Sequence, residues 1–148
     1  MDMKTRIDQA VKDAMRSHDD ATRRTLRLVL AAIKQSEVDQ RIDLDDTAVF
    51  AILQKEVKTR HESLEDARKA NRPDLIDELD AEMAVLRKFL PEEITDEALL
   101  EMAKAVIAEV GATSPADMGK VMKELIPRVQ GKAPGNRISQ AVRSLLQN

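Results

Sequence analysis

Apolar residues recur at spacings of three and four along most of this chain, and nowhere alternate with polar ones as along a half-buried strand. Ile7, Val11 and Met15 predict a first helix ending near Ser17 and His18, with Asp19 or Asp20 placed to cap the next. That second helix, residues 21–41, carries Leu26, Val29, Leu30 and Ile33 on one face. Leu28 and Ala32 fall off this stripe, so the helix is expected to be covered on more than one side. Beyond an acidic turn at residues 43–46, a long charged helix is predicted as far as residue 70. Its seam is Phe50, Leu53, Val57 and Leu64, with Arg60 in the intervening place. Asn71-Arg72-Pro73 breaks it, because proline disfavours helix in the residue before it yet suits the first turn of a new one. Ile76, Leu79, Met83, Leu86 and Leu90 form the following seam. Two such seams joined by a short break predict an antiparallel helical hairpin.

Pro91 and the acidic pair Glu92-Glu93 mark a boundary, with the break placed near residues 91–95. Three shorter helices are predicted beyond it. The first begins near Thr95, buries Leu99, Ala103, Val106 and Val110, and stops at Gly111. The second opens with Ser114-Pro115-Ala116-Asp117, an N-cap with proline in the first turn and a carboxylate three residues on. Its inner face is Met118, Val121, Met122, Leu125 and Val129, and Pro127 should bend or end it. The third follows the loop from Gly131 to Gly135 and buries Ile138, Val142 and Leu145. The fold class is therefore all-α. An N-terminal helical domain, residues 1–92, holds the long antiparallel hairpin, and a C-terminal three-helix domain occupies residues 93–148.

Composition supports this. Aromatics make up 1% of the chain, Phe50 and Phe89 alone, so the core must be aliphatic, as stacked helices allow. The same scarcity argues against a platform on which single-stranded bases stack. Without cysteine there is no disulfide, thiol nucleophile or thiolate metal site. The opening MDMKTRIDQA lacks the apolar stretch of a secretory signal, and no apolar run reaches membrane-spanning length. A soluble cytoplasmic protein with no membrane partner is the expectation. A net charge of −3 exerts no general pull on nucleic acid, so only a local patch could.

Catalytic signatures are missing. His18 and His61 lack the paired spacing of a zinc peptidase, and no serine sits in a Gly-x-Ser-x-Gly turn. Pairs such as Glu56 with Arg60 and Glu65 with Lys69 read as helix-surface contacts, each worth roughly 0.2–0.5 kcal/mol. Gly119-Lys120 is no phosphate-binding loop, because it is predicted to lie in a second helical turn. No metal or cofactor is expected.

The sharper signal is basic. Lys120, Lys123, Arg128, Lys132, Arg137 and Arg143 outnumber Asp117 and Glu124 after residue 113. Lys120 and Lys123 are predicted to project away from the Met118/Leu125 core face. Gly131 and Gly135 flank Lys132 in a loop whose backbone can come close to a partner. Three phosphate contacts would give salt-sensitive binding with a log–log slope of about −2 to −3. Gly119 admits close helix packing or close approach of a nucleic-acid backbone, and the habit of interior glycines favours packing.

At these residues the chain resembles the YqeY family, stand-alone relatives of the tail of the B subunit of aspartyl/glutamyl-tRNA amidotransferase. The tail-like part is Ala112-Thr113-Ser114, Asp117 through Met122, and Gly131-Lys132-Ala133. The stand-alone part runs Thr25-Leu26-Arg27-Leu28, Ala31-Ala32-Ile33-Lys34, Lys69 through Leu75, and Phe89-Leu90-Pro91. The resemblance implies a C-terminal domain like the part of the amidotransferase that contacts tRNA, with Gly119, Lys120, Gly131 and Lys132 as contact residues. Kinase and transamidation chemistry would reside in a body absent here.

The leading expectation is an accessory module that binds tRNA or another structured RNA without an active site of its own. A protein partner held by the exposed seam of the N-terminal hairpin at Phe50 and Leu86 is the alternative. A carbon–nitrogen ligase with glutamine as amido-N-donor is what the family label alone would suggest.

Overall fold

Among residues 2–147, which the computed structural model describes, seven α-helices and one 3-10 turn form, with no strand. Short polar side chains start the helices. Asp2 caps α1 (Met3–Arg16) by accepting the Thr5 N–H at 2.8 Å, and Asp19 caps α2 (Asp20–Gln40) through Thr22 at 3.1 Å. Asp45 caps α3 (Asp46–Lys69) through Ala48 at 2.9 Å, and α4 (Pro73–Arg87) opens on its proline. Arg41, in the left-handed region at φ 57°, ends α2.

The chain divides between Leu90 and Pro91 into two compact units. In the first, α1 contributes Met3, Ile7 and Val11 to a core completed by Leu26, Val29, Ile33, Leu44, Val49, Leu53, Val85 and Leu86. The α3–α4 connection is short, and Arg60 meets Glu82 while Ala67 and Ala70 line the same hollow as Leu75 and Glu78. Those pairings run in opposite directions along the chain, as an antiparallel hairpin requires.

Three expectations need correction in this unit. Met15 is 49% exposed and Ala14 is buried in its place, because three four-residue steps from Met3 drift about 120° around a helix. Arg60 does not belong to a surface pair: it is buried, with Glu56 Oε2 at 2.6 Å and Glu82 Oε2 at 2.9 Å. The hairpin seam faces inward. Leu53, Leu64 and Leu86 are buried, so Leu86 offers no surface to a protein partner, while Phe50 is half-buried against the core.

In the second unit, Thr95 caps α5 (Asp96–Val110) by accepting the Ala98 N–H at 3.1 Å, and Gly111 at φ 68° ends it. Residues Pro115–Asp117 form the 3-10 turn. The Ser114 side chain makes no capping bond. The Asp117 carboxylate accepts the Thr113 N–H at 2.9 Å. Helix α6 (Met118–Val129) runs through Pro127 to Val129 rather than ending there, since a proline this near the terminus forfeits only one late bond. Helix α7 (Gly135–Leu146) closes the unit. The core joins Leu99, Ala103 and Val106 of α5, Val121, Leu125 and Val129 of α6, and Ile138, Val142 and Leu146 of α7, with Ala133 from the loop.

Candidate nucleic-acid interface

Helix α6 is sharply two-faced. Val121, Leu125 and Val129 are buried, while Gly119, Lys120, Lys123 and Pro127 are exposed on the opposite side. Lys120 and Lys123 lie three residues apart and so share that outer face. Gly119 stands beside them, and a Cβ built on it would meet nothing within 4 Å. The packing role favoured from sequence is thus corrected: among the described residues no neighbouring helix comes within 4 Å of that position.

Lys120 is 68% exposed, its ammonium 3.9 Å from an oxygen of Asp117. That carboxylate is held below its ordinary value first by the Thr113 N–H, with the Lys120 charge a smaller cause. The contact with Lys120 is therefore loose. Lys123 is exposed and forms no ion pair among the described residues.

Beyond Val129 the backbone turns through two consecutive left-handed residues, Gln130 at φ 54° and Gly131 at φ 78°. The Lys132 N–H donates to the Val129 carbonyl at 3.1 Å, and the Lys132 carbonyl accepts the Ile94 N–H at 2.9 Å. Ala133 is buried. The loop backbone is pinned on both sides of Lys132 while its side chain is exposed. Lys120 lies in the first turn of α6 and Lys132 follows its end, with about 14 Å of helix between Lys120 and Val129.

The other three predicted residues part company. Arg143 on α7 is exposed. Arg128 is engaged by an ion pair with Glu109, which holds the guanidinium protonated and the carboxyl below its usual range. Arg137 is a structural latch, with Asp96 at 2.7 Å, Glu93 at 3.6 Å and the Ile94 carbonyl at 3.0 Å. It ties the start of α7 to the entry of α5. Lys120, Lys123, Lys132 and Arg143 are left as the outward cations. Sequence spacing could not separate the two groups, because the acids that engage Arg128 and Arg137 lie 19 and 41 positions away.

Among the described residues no cluster of three or more His, Asp or Glu is placed to hold a metal ion, and no helix is long and apolar enough to cross a membrane. A hollow of about 530 Å³ beside the α3–α4 turn is lined by Ser63, Asp66, Arg72, Leu75, Glu78 and Glu82 and holds no nucleophile–base pair.

Residues 4–146 match the family described as Yqey-like protein. Among curated proteins, the chain is 32% identical over 91 residues to altered inheritance of mitochondria protein 41, mitochondrial, of Lachancea thermotolerans, covering 61% of this chain and 49% of that one. The protein of the same name from Pyrenophora tritici-repentis is 27% identical over 132 residues, covering 86% of this chain and 71% of the relative. That of Eremothecium gossypii is 35% identical over 85 residues, 57% and 46% of the two chains. The chain thus spans about half the length of two of these three relatives. Their names correct the expected cytoplasmic localisation, since each is called mitochondrial. An opening without a secretory stretch was too weak a ground for a compartment. With a family match that covers nearly its whole length, the chain belongs to the YqeY-like proteins.

Proposed function

We propose that the C-terminal unit is an RNA-docking module that grips tRNA or another structured RNA by its phosphates and carries no active site. The observation behind this reading is the outer face of α6. A glycine with no packing use inside its own chain stands beside two outward lysines, and a third follows at the end of the helix. Glycine at such a place lets a phosphate backbone come close, and flanking ammonium groups supply counter-charge without base readout. The scarcity of aromatic side chains fits recognition of a folded RNA by shape and backbone better than capture of splayed single strands. The likeness to the amidotransferase tail makes tRNA the first candidate.

Native-gel titration of bulk tRNA at low salt tests the reading. Lys120→Ala/Lys132→Ala is expected to weaken binding and to flatten the log–log salt dependence by about 2, one for each lost phosphate contact. Equal affinity for the native protein and the double variant would dispose of this site.

A further inference from the structure

Helix α2 packs against α1, α3 and α4 with Ala32 half-buried, as expected of a helix covered on more than one side, yet among the described residues the face that bears Leu28 is left open. Leu26, Val29 and Ile33 are buried, while Leu28 on the opposite face is 58% exposed and Val38 is 63% exposed. Leu28, Ala31, Gln35 and Val38 follow one another at steps of three, four and three, all of them exposed. That is the a/d spacing of a two-helix seam. Arg27 and Lys34 each stand one residue before an a position, on the same flank, and Arg24 lies one turn before Leu28. Between Asp20 and Glu37 the helix has no acidic residue. Among the described residues Arg24, Arg27 and Lys34 form no ion pair. The Arg24 Nε–H reaches only the Asp20 carbonyl at 3.4 Å, and an Arg27 N–H only the Met15 sulfur at 3.5 Å. Met15 of α1, itself exposed, lies against Arg27.

We infer that this outer face of α2 is a docking seam for an amphipathic helix of a partner protein, apolar along its contact stripe and rich in Asp and Glu on its flanks. Charge complementarity selects that occupant. Flanking positions set partner choice in paired helices, and an all-cationic flank calls for acids opposite. Two copies pairing antiparallel through α2 would set Arg27 and Lys34 against their own equivalents, which is repulsive. RNA would satisfy the cations but leave Leu28 and Val38 without apolar contact. Gln35, its amide held by Asp39 at 2.8 Å, puts one polar residue in the seam. A single polar seam residue favours one register.

Two synthetic four-heptad helices, identical in a leucine seam and differing in glutamate or lysine flanks, are titrated against the full chain by fluorescence anisotropy. The acidic peptide should bind at least about tenfold more tightly, a preference that weakens with salt. Arg27→Glu/Lys34→Glu should reverse the preference. Leu28→Ser/Val38→Ser should abolish binding of both peptides with the helical circular dichroism unchanged, because both side chains are mostly exposed already. Equal affinity for the two peptides, or undiminished binding by a folded serine variant, overturns the proposal. So does concentration-dependent self-association that the serine variant loses, which would make a second copy the occupant. Displacement of the acidic peptide by bulk tRNA, or capture of the chain by anionic phospholipid vesicles through Leu28 and Val38, also defeats it.

Discussion

Gly119 shows how much one missing methyl group can say. Glycine is less favourable than alanine by about 1 kcal/mol in a helix interior and by less in the first turn, where Gly119 stands, so it persists where something needs the space. Here the space is open to solvent, with nothing of the chain within 4 Å of a built Cβ. Gly119→Ala should therefore raise the urea midpoint, with a gain of up to about 1 kcal/mol. It should weaken RNA binding in the same preparation, because the added methyl stands where a phosphate backbone would approach. Loss of stability would mean that the glycine serves the fold, and unchanged affinity would mean that RNA does not pass there. Lys120 and Arg128 make the companion point on the same helix. Both are cations with carboxylates nearby, yet Arg128 is committed to Glu109 while Lys120 is only loosely approached by Asp117. Charge alone does not distinguish a working side chain from a structural one.

The α3–α4 hairpin turns on a charge that its seam has swallowed. Arg60 occupies a seam position with its side chain only 9% exposed, gripped by Glu56 on its own helix and Glu82 across the interface. Removing one member of a buried ion cluster strands the others, at about 3–5 kcal/mol when fully buried. Both glutamates keep a quarter of their surface in water, so Arg60→Ala should cost less, about 2–3 kcal/mol by urea denaturation. Arg60→Met, which keeps the packing stem, should lose less than the alanine variant. A change under about 0.5 kcal/mol for alanine would restore the reading of an ordinary surface pair. Every helix of this fold could be seen in the sequence, because periodicity and capping residues are local. Asp19, Asp45, Thr95 and Pro73 sit where the chain must start a helix, and Gly111 where it must stop. What stayed hidden depends on partners distant in sequence. Arg60 needed Glu82, Arg137 needed Asp96 and Glu93, and the open surroundings of Gly119 needed the placement of α5 and α7. The candidate site was accordingly legible as a set of cations, four of which still face outward.

In both units a few carboxylates are held below their ordinary values by a hydrogen bond or an ion pair. Asp19 is lowered chiefly by the Thr22 side chain, Glu37 by Lys4 and Asp74 by Arg72. Glu109 is lowered chiefly by Arg128, and Asp117 by the Thr113 N–H. Their ordinary values, 3.8 for aspartate and 4.5 for glutamate, belong to the unfolded chain. Between those values and the lower folded ones, the unfolded state binds more protons than the folded state. Stability is then fully present above the ordinary values and drains away as pH falls through the folded ones. The urea midpoint should be level near neutrality and drop steeply below about pH 4. Glu37 isolates one share of that drop, since its carboxylate takes both the Lys4 ammonium at 2.8 Å and the Leu44 N–H at 2.8 Å. Glu37→Gln should be less stable than the native protein at neutral pH, and the gap should close on acidification as the native glutamate is protonated and loses the same ion pair. Lys4 is raised by that contact, so its contribution should persist until pH climbs past the ordinary lysine value of 10.5 and then disappear. Native and variant midpoints that ran parallel through the acid range would show that the Lys4–Glu37 contact contributes nothing to folding.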